Sequence, residues 1–242
     1  MNRSSFVLGL VVGVAGLAIE VRAGIVVVGH YTFNDNALPS GFSVVGAGTP
    51  TFSGGQMILD GTSAIRNTAT PLTATDNFGI EAILTPSAND SFNFFVSNSN
   101  GANNGWGLLS IDGAYRAIAE GAGVFGTGGG AATVDQEVRL ALVRAGGTAT
   151  LYVNNVAVSG TTGAERLAAS ILTIGVNQQT NEPAFEGFFK GSINEVRLFT
   201  FEAGAFSVSD LLTQPTPVPE PSGIALLAMS LAGLGLVRRR HR

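Results

Sequence analysis

From Gly24 to about Leu212 the chain is built of short apolar runs, β-branched or aromatic, separated by Gly, Asn, Asp or Pro. IVVVGHYTF, MILD, FGIEAILT, FNFFVS, WGLLSID, YRAIA, EVRLALVR, TATLYVN, ILTIGV and SINEVRLFTF read as strands. In EVRLALVR, Val138, Leu140 and Leu142 alternate with Glu137, Arg139 and Ala141, the period of a sheet with one buried face. Ala145 to Gly147 then turns the chain into TATLYVN. Asn154-Asn155 makes a second tight turn into VAV, because Asn tolerates the positive φ that a two-residue hairpin needs. FSVSDLL, Phe206 to Leu212, is the one helical candidate. So many strands in a body of this size predict a sandwich, jelly roll or barrel, and no repeat of propeller or solenoid length is present.

Both ends depart from this pattern. At the start, Arg3 precedes an uncharged run from Phe6 to Ile19, and Val21-Arg22-Ala23 closes it with moderate or small side chains. A run of 14 residues is short for a membrane span, which needs ~20. Residues 1–23 therefore read as a signal peptide, cut by signal peptidase after Ala23. At the other end, residues 214–219 (QPTPVP) form a proline-rich linker, which cannot continue a helix or central strand. Ser222 offers an N-cap, and residues 224–237 form a short apolar transmembrane helix before Arg238, Arg239, Arg240 and Arg242. As a helix those 14 residues rise only ~21 Å against a hydrocarbon layer of ~30 Å. The arginines place its end in the cytoplasm and the body outside.

Pro219-Glu220-Pro221, the short apolar helix and the terminal Arg238, Arg239 and Arg240 together resemble the PEP-CTERM sorting signal of bacteria that make exopolysaccharide. The resemblance covers 220–242 and the residues just before it, the motif starting at 218–219. It implies recognition by a membrane-embedded exosortase, a transient stay at the inner membrane, and release to the cell surface or extracellular matrix. An anchor of marginal length suits a segment that is later removed.

The body carries a second resemblance. LALVRAGGTATLYVNNVAV, the LTIG at Leu172 to Gly175, and FFKGSINEVRLFTFEAGAFSVSDLL resemble the laminin-G-like family of concanavalin A-like jelly rolls. The fold so implied is all-β, a two-sheet jelly-roll sandwich over 24–213, flanked by an N-terminal signal helix and the C-terminal hydrophobic helix. Two positions depart from the family pattern. Asn155 replaces the usual glycine, and Asn194 replaces the usual aspartate, which puts any carboxylate contact there in doubt.

Composition narrows the function. Gly is 33 of 242 residues, about twice the usual ~7%, which suits many turns. Charged residues are only 12%, so Thr, Ser, Asn and Gly must carry the surface. Between Gly24 and Pro219 seven Lys and Arg face fifteen Asp and Glu, a net charge of −8. Nucleic acid, which demands a basic footprint, is excluded as a partner; neutral glycans or divalent cations fit better. The chain has no cysteine, which removes thiol nucleophiles, disulfides and cysteine-bound zinc.

Catalytic sets are missing. The paired carboxylates of a glycosidase, often Glu-x-Asp-x-x-Glu on one strand, do not occur, and Asp135 and Glu137 read as solvated turn residues. His30 reads as a sheet-surface residue, and His241 lies in the tail, too few parts for a histidine-based triad or zinc site. Ala122 to Ala132 (AGVFGTGGGAA) lacks the Lys-Ser/Thr of a phosphate loop and reads as a flexible loop. No cofactor is required. The laminin-G resemblance admits Ca²⁺ at a sheet rim, and oxygens are offered by Asp76, Asn77, Asn89, Asp90, Asn98 to Asn104 and Asp112, though Asx residues in turns commonly bond their own backbone. For a glycan, Trp106, the single tryptophan, with Tyr115 and Arg116 across the Asp112-Gly113 turn, is the candidate contact. The other reading of Trp106 is a core residue, the commoner fate of an aromatic.

The expectation is thus an exported, non-enzymatic surface or matrix protein. Its partners are signal peptidase, exosortase, the membrane before processing, and a polysaccharide or other surface component. A dedicated carbohydrate-binding module and an unusual glycoside hydrolase are the alternatives.

Overall fold

The computed structural model describes residues 24–69, 76–101, 104–119, 123–127, 132–162, 171–178 and 184–212. The signal segment with its cleavage at Ala23, the linker 214–219, and the sorting motif with its helix and arginines lie outside the described residues. Among those described, no helix is long and apolar enough to cross a membrane.

The strands in chain order are β1 (Ile25–Thr32), β2 (Phe42–Gly46), β3 (Thr51–Ser53), β4 (Gln56–Asp60), β5 (Ser63–Asn67), β6 (Asn77–Pro86), β7 (Phe92–Gly101), β8 (Asn104–Ile111) and β9 (Ala114–Ala119). There follow β10 (Gly123–Gly126), β11 (Val138–Ala145), β12 (Thr148–Val153), β13 (Val156–Thr162), β14 (Ile171–Ile174), β15 (Asn177–Gln178), β16 (Phe185–Glu186) and β17 (Lys190–Phe201). They form the expected all-β jelly-roll sandwich of two sheets. Sheet A runs β13-β12-β11-β6-β17-β4-β3, with β1 also on β17; sheet B runs β10-β9-β8-β7-β14-β5-β2, and β15 and β16 pair on their own.

β17 organises sheet A. One edge pairs with β6 from Gly191 to Thr200, while the other is shared between β4 at Lys190–Ile193 and β1 at Glu195–Phe201. A bulge at Asn194 shifts the register between these stretches. The bulge has a packing consequence. Strict alternation from Ile193 would drive Glu195 and Arg197 into the core; one extra residue instead turns Val196 and Leu198 inward. They join Phe78, Ile80, Ala82 and Leu84 of β6 and Leu140 and Leu142 of β11 against Phe95, Trp106, Leu108 and Ile174 of sheet B. Tight hairpins connect the strands. Asn154 (φ 50°) and Asn155 (φ 63°) both lie in the left-handed region, as a two-residue turn between the paired Val153 and Val156 demands.

The centre of the outer face of sheet A is covered by the chain after β17. Leu211 and the half-buried Phe206 pack on Ala141, Val143, Phe199 and Phe201. Beneath this strap, Glu81 of β6 and Arg197 of β17, register partners, form a buried ion pair with Nε donating at 2.9 Å. Leu212 donates its amide to Glu81 Oε2 at 2.6 Å, and Arg197 donates to the Asp210 carbonyl. Burial raises the Glu81 carboxyl above the usual range, against the opposing pull of Arg197 and the Leu212 amide. Phe199 lies flat over Gly79, where a Cβ would come within 2.1 Å of the ring, so only glycine fits. The helix expected over Phe206 to Leu212 is only a 3-10 turn, Val208–Asp210, capped by Ser207 and Asp210. Leu211 turns extended (φ −67°, ψ 151°), which carries the next amide to Glu81; a continued helix would forfeit that bond.

The loop expected at Ala122 to Ala132 is corrected too: β10 occupies Gly123–Gly126 and pairs with β9. Gly126 explains the tolerance, since a Cβ there would meet the Tyr115 carbonyl at 2.2 Å.

Glu81→Ala leaves the Arg197 guanidinium buried without its carboxylate, and a loss of about 3–5 kcal/mol is expected in urea unfolding. The pair also sets a pH signature. Because the folded Glu81 pKa is raised, the native state holds the proton to higher pH. Wild type should therefore lose stability relative to Glu81→Gln as pH rises from the unfolded carboxyl range through the folded value. A flat difference across that window would contradict the assignment.

Candidate functional site

The outer face of sheet B, like that of sheet A, is only partly covered. One row of outward positions crosses all seven strands in register: Ser43, Arg66, Thr173, Ser97, Gly107, Ile118 and Val124. Its first half is polar and lies under the segment carrying β15 and β16. Arg66 donates to Gln178 Oε1 (3.1 Å), Ser97 to Asn177 Oδ1 (2.9 Å) and Thr173 to the Val176 carbonyl (2.7 Å). Asn177 in turn donates to Glu186 Oε1 at 2.8 Å. Val45, Ala64 and Val176, with Phe185 and Phe188 against them, seal this half with a small apolar cluster.

Toward the other edge the cover thins: Gly107 lies buried against the Phe94 ring, Ile118 is half-buried and Val124 is 50% exposed. In the adjoining row Arg116 of β9 lies between Leu109 of β8 and Gly126 of β10. Phe92 and Phe94 flank that row edge-to-face, ring centroids 5.2 Å apart, with the Phe94 amide tied to the Gly187 carbonyl. Arg116 is half-buried yet has no hydrogen-bond or ion-pair partner among the described residues. By contrast Arg66, Arg139, Arg144 and Arg197 are all engaged. An unpaired guanidinium beside apolar side chains can bind a ligand that offers oxygen acceptors and an apolar face, the make-up of a sugar ring.

Of the three sequence candidates, only Arg116 stands at this surface. Trp106 (1% exposed) and Tyr115 (2%) point the other way, into the core, Trp106 against Phe78 and Tyr115 against Phe95. Alternation along β8 and β9 makes this unavoidable. With Leu108 and Ala117 inward, Trp106 and Tyr115 share their face, and Arg116 must point out. The core reading of Trp106 is the one the structure shows, and neither ring offers a face to a sugar. Phe92, Ile118 and Val124 were missed. The alternation in FNFF and YRAIA was a signal for them, but which face lay outward became visible only from the packing.

Several of the described calcium candidates are engaged elsewhere. Asp76 accepts from Arg144 (3.0 Å), Asn77 accepts from the Gly146 amide (3.1 Å), Asn89 reaches the Ala132 carbonyl and Asp112 occupies a turn with φ 48°. Among the described residues no group of three or more acidic or histidine side chains could hold a metal. Glu137, expected to be a solvated turn residue, bridges Arg139 (3.5 Å) and Asn194 (3.1 Å). Asparagine at 194 is thus a donor where an aspartate would set two carboxylates together. Asn155, also a departure, donates to the Leu212 carbonyl at 3.1 Å and helps hold the strap. His30 is exposed on β1 beside Glu195.

Comparison with known proteins adds the following. The family described as the Concanavalin A-like lectin/glucanases superfamily matches residues 59–208. No curated protein matches the sequence. Domain 4 of AbnA, a GH43 extracellular arabinanase from Geobacillus stearothermophilus solved with arabinotriose, superposes with a TM-score of 0.61 at 17% identity, over 77% of this chain and 98% of that one. Trypanosoma rangeli sialidase in complex with sialic acid gives 0.55 at 14%, over 78% of this chain and 32% of that one. The receptor binding domain of botulinum neurotoxin C/D mosaic serotype gives 0.52 at 14%, over 76% and 49%. At these identities the likeness is one of fold.

Because Trp106 is the sole tryptophan, its burial is directly measurable. The native protein should emit at short wavelength and resist quenching by acrylamide. A red, readily quenched emission would put the ring at the surface.

Proposed function

Since the chain belongs to the concanavalin A-like lectin/glucanases superfamily, we propose that it is an exported, non-enzymatic protein of the cell surface or extracellular matrix that holds polysaccharide on the outer face of sheet B at its β9–β10 edge. The observation that carries this reading is Arg116, a half-buried cation without a partner among the described residues, set between the Ile118–Val124 pair and the Phe92–Phe94 pair. The solved arabinanase domain and the sialidase, both structures with sugars bound, lend it support by their fold.

Binding without hydrolysis is the better account of the residues on this face. Glycosidic cleavage uses two carboxylates roughly 5–10 Å apart across the bond. Glu186, an acid near the face, accepts a hydrogen bond from Asn177 at 2.8 Å, which holds it as a structural partner of that loop. Delivery follows from the ends of the sequence. A signal peptide cut at Ala23 exports the chain, the 224–237 helix holds it briefly at the inner membrane, and an exosortase acts at Pro219-Glu220-Pro221.

Two measurements test the proposal. Protein recovered from outside the producing cells should have an intact mass lacking residues 1–23 and the C-terminal apolar helix; a mass containing both ends contradicts the delivery route. The recovered protein should co-sediment with the cells' own exopolysaccharide, and Arg116→Ala should weaken retention by ~10-fold, the loss expected for charge-assisted bonds to sugar oxygens. Wild type that stays in the supernatant would defeat the binding reading.

A further inference from the structure

A second cluster of donors lies between the sheets, at the end of the sandwich where β6 and β8 begin and β11 finishes. Arg144, last inward residue of β11, is 3% exposed and sits in register between Phe78 of β6 and Ala149 of β12, both core residues. Its Nη2 donates to Asp76 Oδ1 at 3.0 Å, and Asp76 is itself half exposed. Its Nε and Nη1 are buried and have no acceptor among the described residues. Across the core, the Trp106 ring packs 6.2 Å from that of Phe78, and its Nε1 is likewise buried without an acceptor among the described residues.

Three unmatched donor nitrogens, on the two residues beside Phe78, form a set of a single polarity. Indole and guanidinium nitrogens only donate. A metal ion would be repelled, and a hydroxyl could use only its lone pairs. An isolated buried cation costs several kcal/mol unless it is paired, and Asp76 satisfies only one edge of the guanidinium from a half-solvated position. The group that best matches a planar guanidinium is a carboxylate, which accepts two parallel N–H bonds and has lone pairs to spare for an indole.

We propose that this end of the sandwich is a carboxylate-binding site, formed by Arg144 Nε and Nη1 with Trp106 Nε1 and entered beside Asp76. It is separate from the Arg116 site, since Trp106 faces the core and Arg116 the outer side of sheet B. The carboxylate can come from a small organic acid or from the uronic acid unit of an acidic polysaccharide. Asp76 competes with it for the guanidinium, so the site is self-limited in affinity.

The single tryptophan makes the site its own reporter. The full-length mature protein is titrated at constant ionic strength with acetate, with glucuronate and with neutral glucose while tryptophan emission is followed. Saturable change with acetate and glucuronate alike indicates a general carboxylate site; change with glucuronate alone indicates an acidic-sugar site. Both support the proposal. No saturable change, or an equal response to glucose, overturns it. Arg144→Lys, which keeps the charge but loses the planar fork, should weaken binding by roughly 10-fold. Asp76→Asn removes the competitor and should tighten it several-fold. Should the Arg144 variant fail to fold, the Asp76 variant decides alone, and an affinity unchanged from wild type overturns the proposal. Loss of polysaccharide retention in Arg116→Ala reads the other site and leaves this titration unmoved.

Discussion

The buried pair of Glu81 and Arg197 is the constraint on which the arrangement of sheet A depends. The two residues face each other on β6 and β17, the strands at its centre. A bare ion pair on an open sheet face would contribute little, and one sealed without further bonds would be costly. Here the chain itself completes the shell, with the Leu212 amide on the carboxylate and the Asp210 carbonyl on the guanidinium. The charges dictate where the strap must run, and the strap's Phe206 and Leu211 cover the apolar surface around them. Gly79 serves the same end, since Phe199 can lie flat only where no Cβ stands.

Different segments cover the two outer faces. The centre of sheet A is covered on its outer side by residues 202–212, and Leu212 is held by Glu81 and Asn155 together. On sheet B the Arg66–Ser97 half is tied down by Asn177 and Gln178, and exposure rises toward the β9–β10 edge, where Val124 stands half exposed.

Much of this fold could be read along the chain. Alternation in EVRLALVR and the turn residues Asn154-Asn155 named a strand and a hairpin correctly, because there local preference and packing agree. The short strands β2, β3, β5 and β10 were missed. FSVVG, TFS and SAIRN are too brief and too polar for periodicity to speak, and each is a strand because a neighbour offers it a ladder. The 3-10 turn shows the reverse case. FSVSDLL has a helical look, but the distant Glu81 claims an amide that a longer helix would have kept. At the candidate site the types were legible and the direction was not. Trp106, Tyr115 and Arg116 were grouped by proximity in sequence, whereas the pleat sends Arg116 to one side and both rings to the other.

Ligand binding on the outer face of sheet B at its β9–β10 edge is most directly examined by hydrogen–deuterium exchange of the secreted protein with and without its polysaccharide. Added glycan should slow exchange in β8, β9 and β10 around Gly107, Arg116 and Val124, and leave the amides of residues 202–212 as they were. Protection confined to the strap, or spread over sheet A with none on those three strands, would contradict the account.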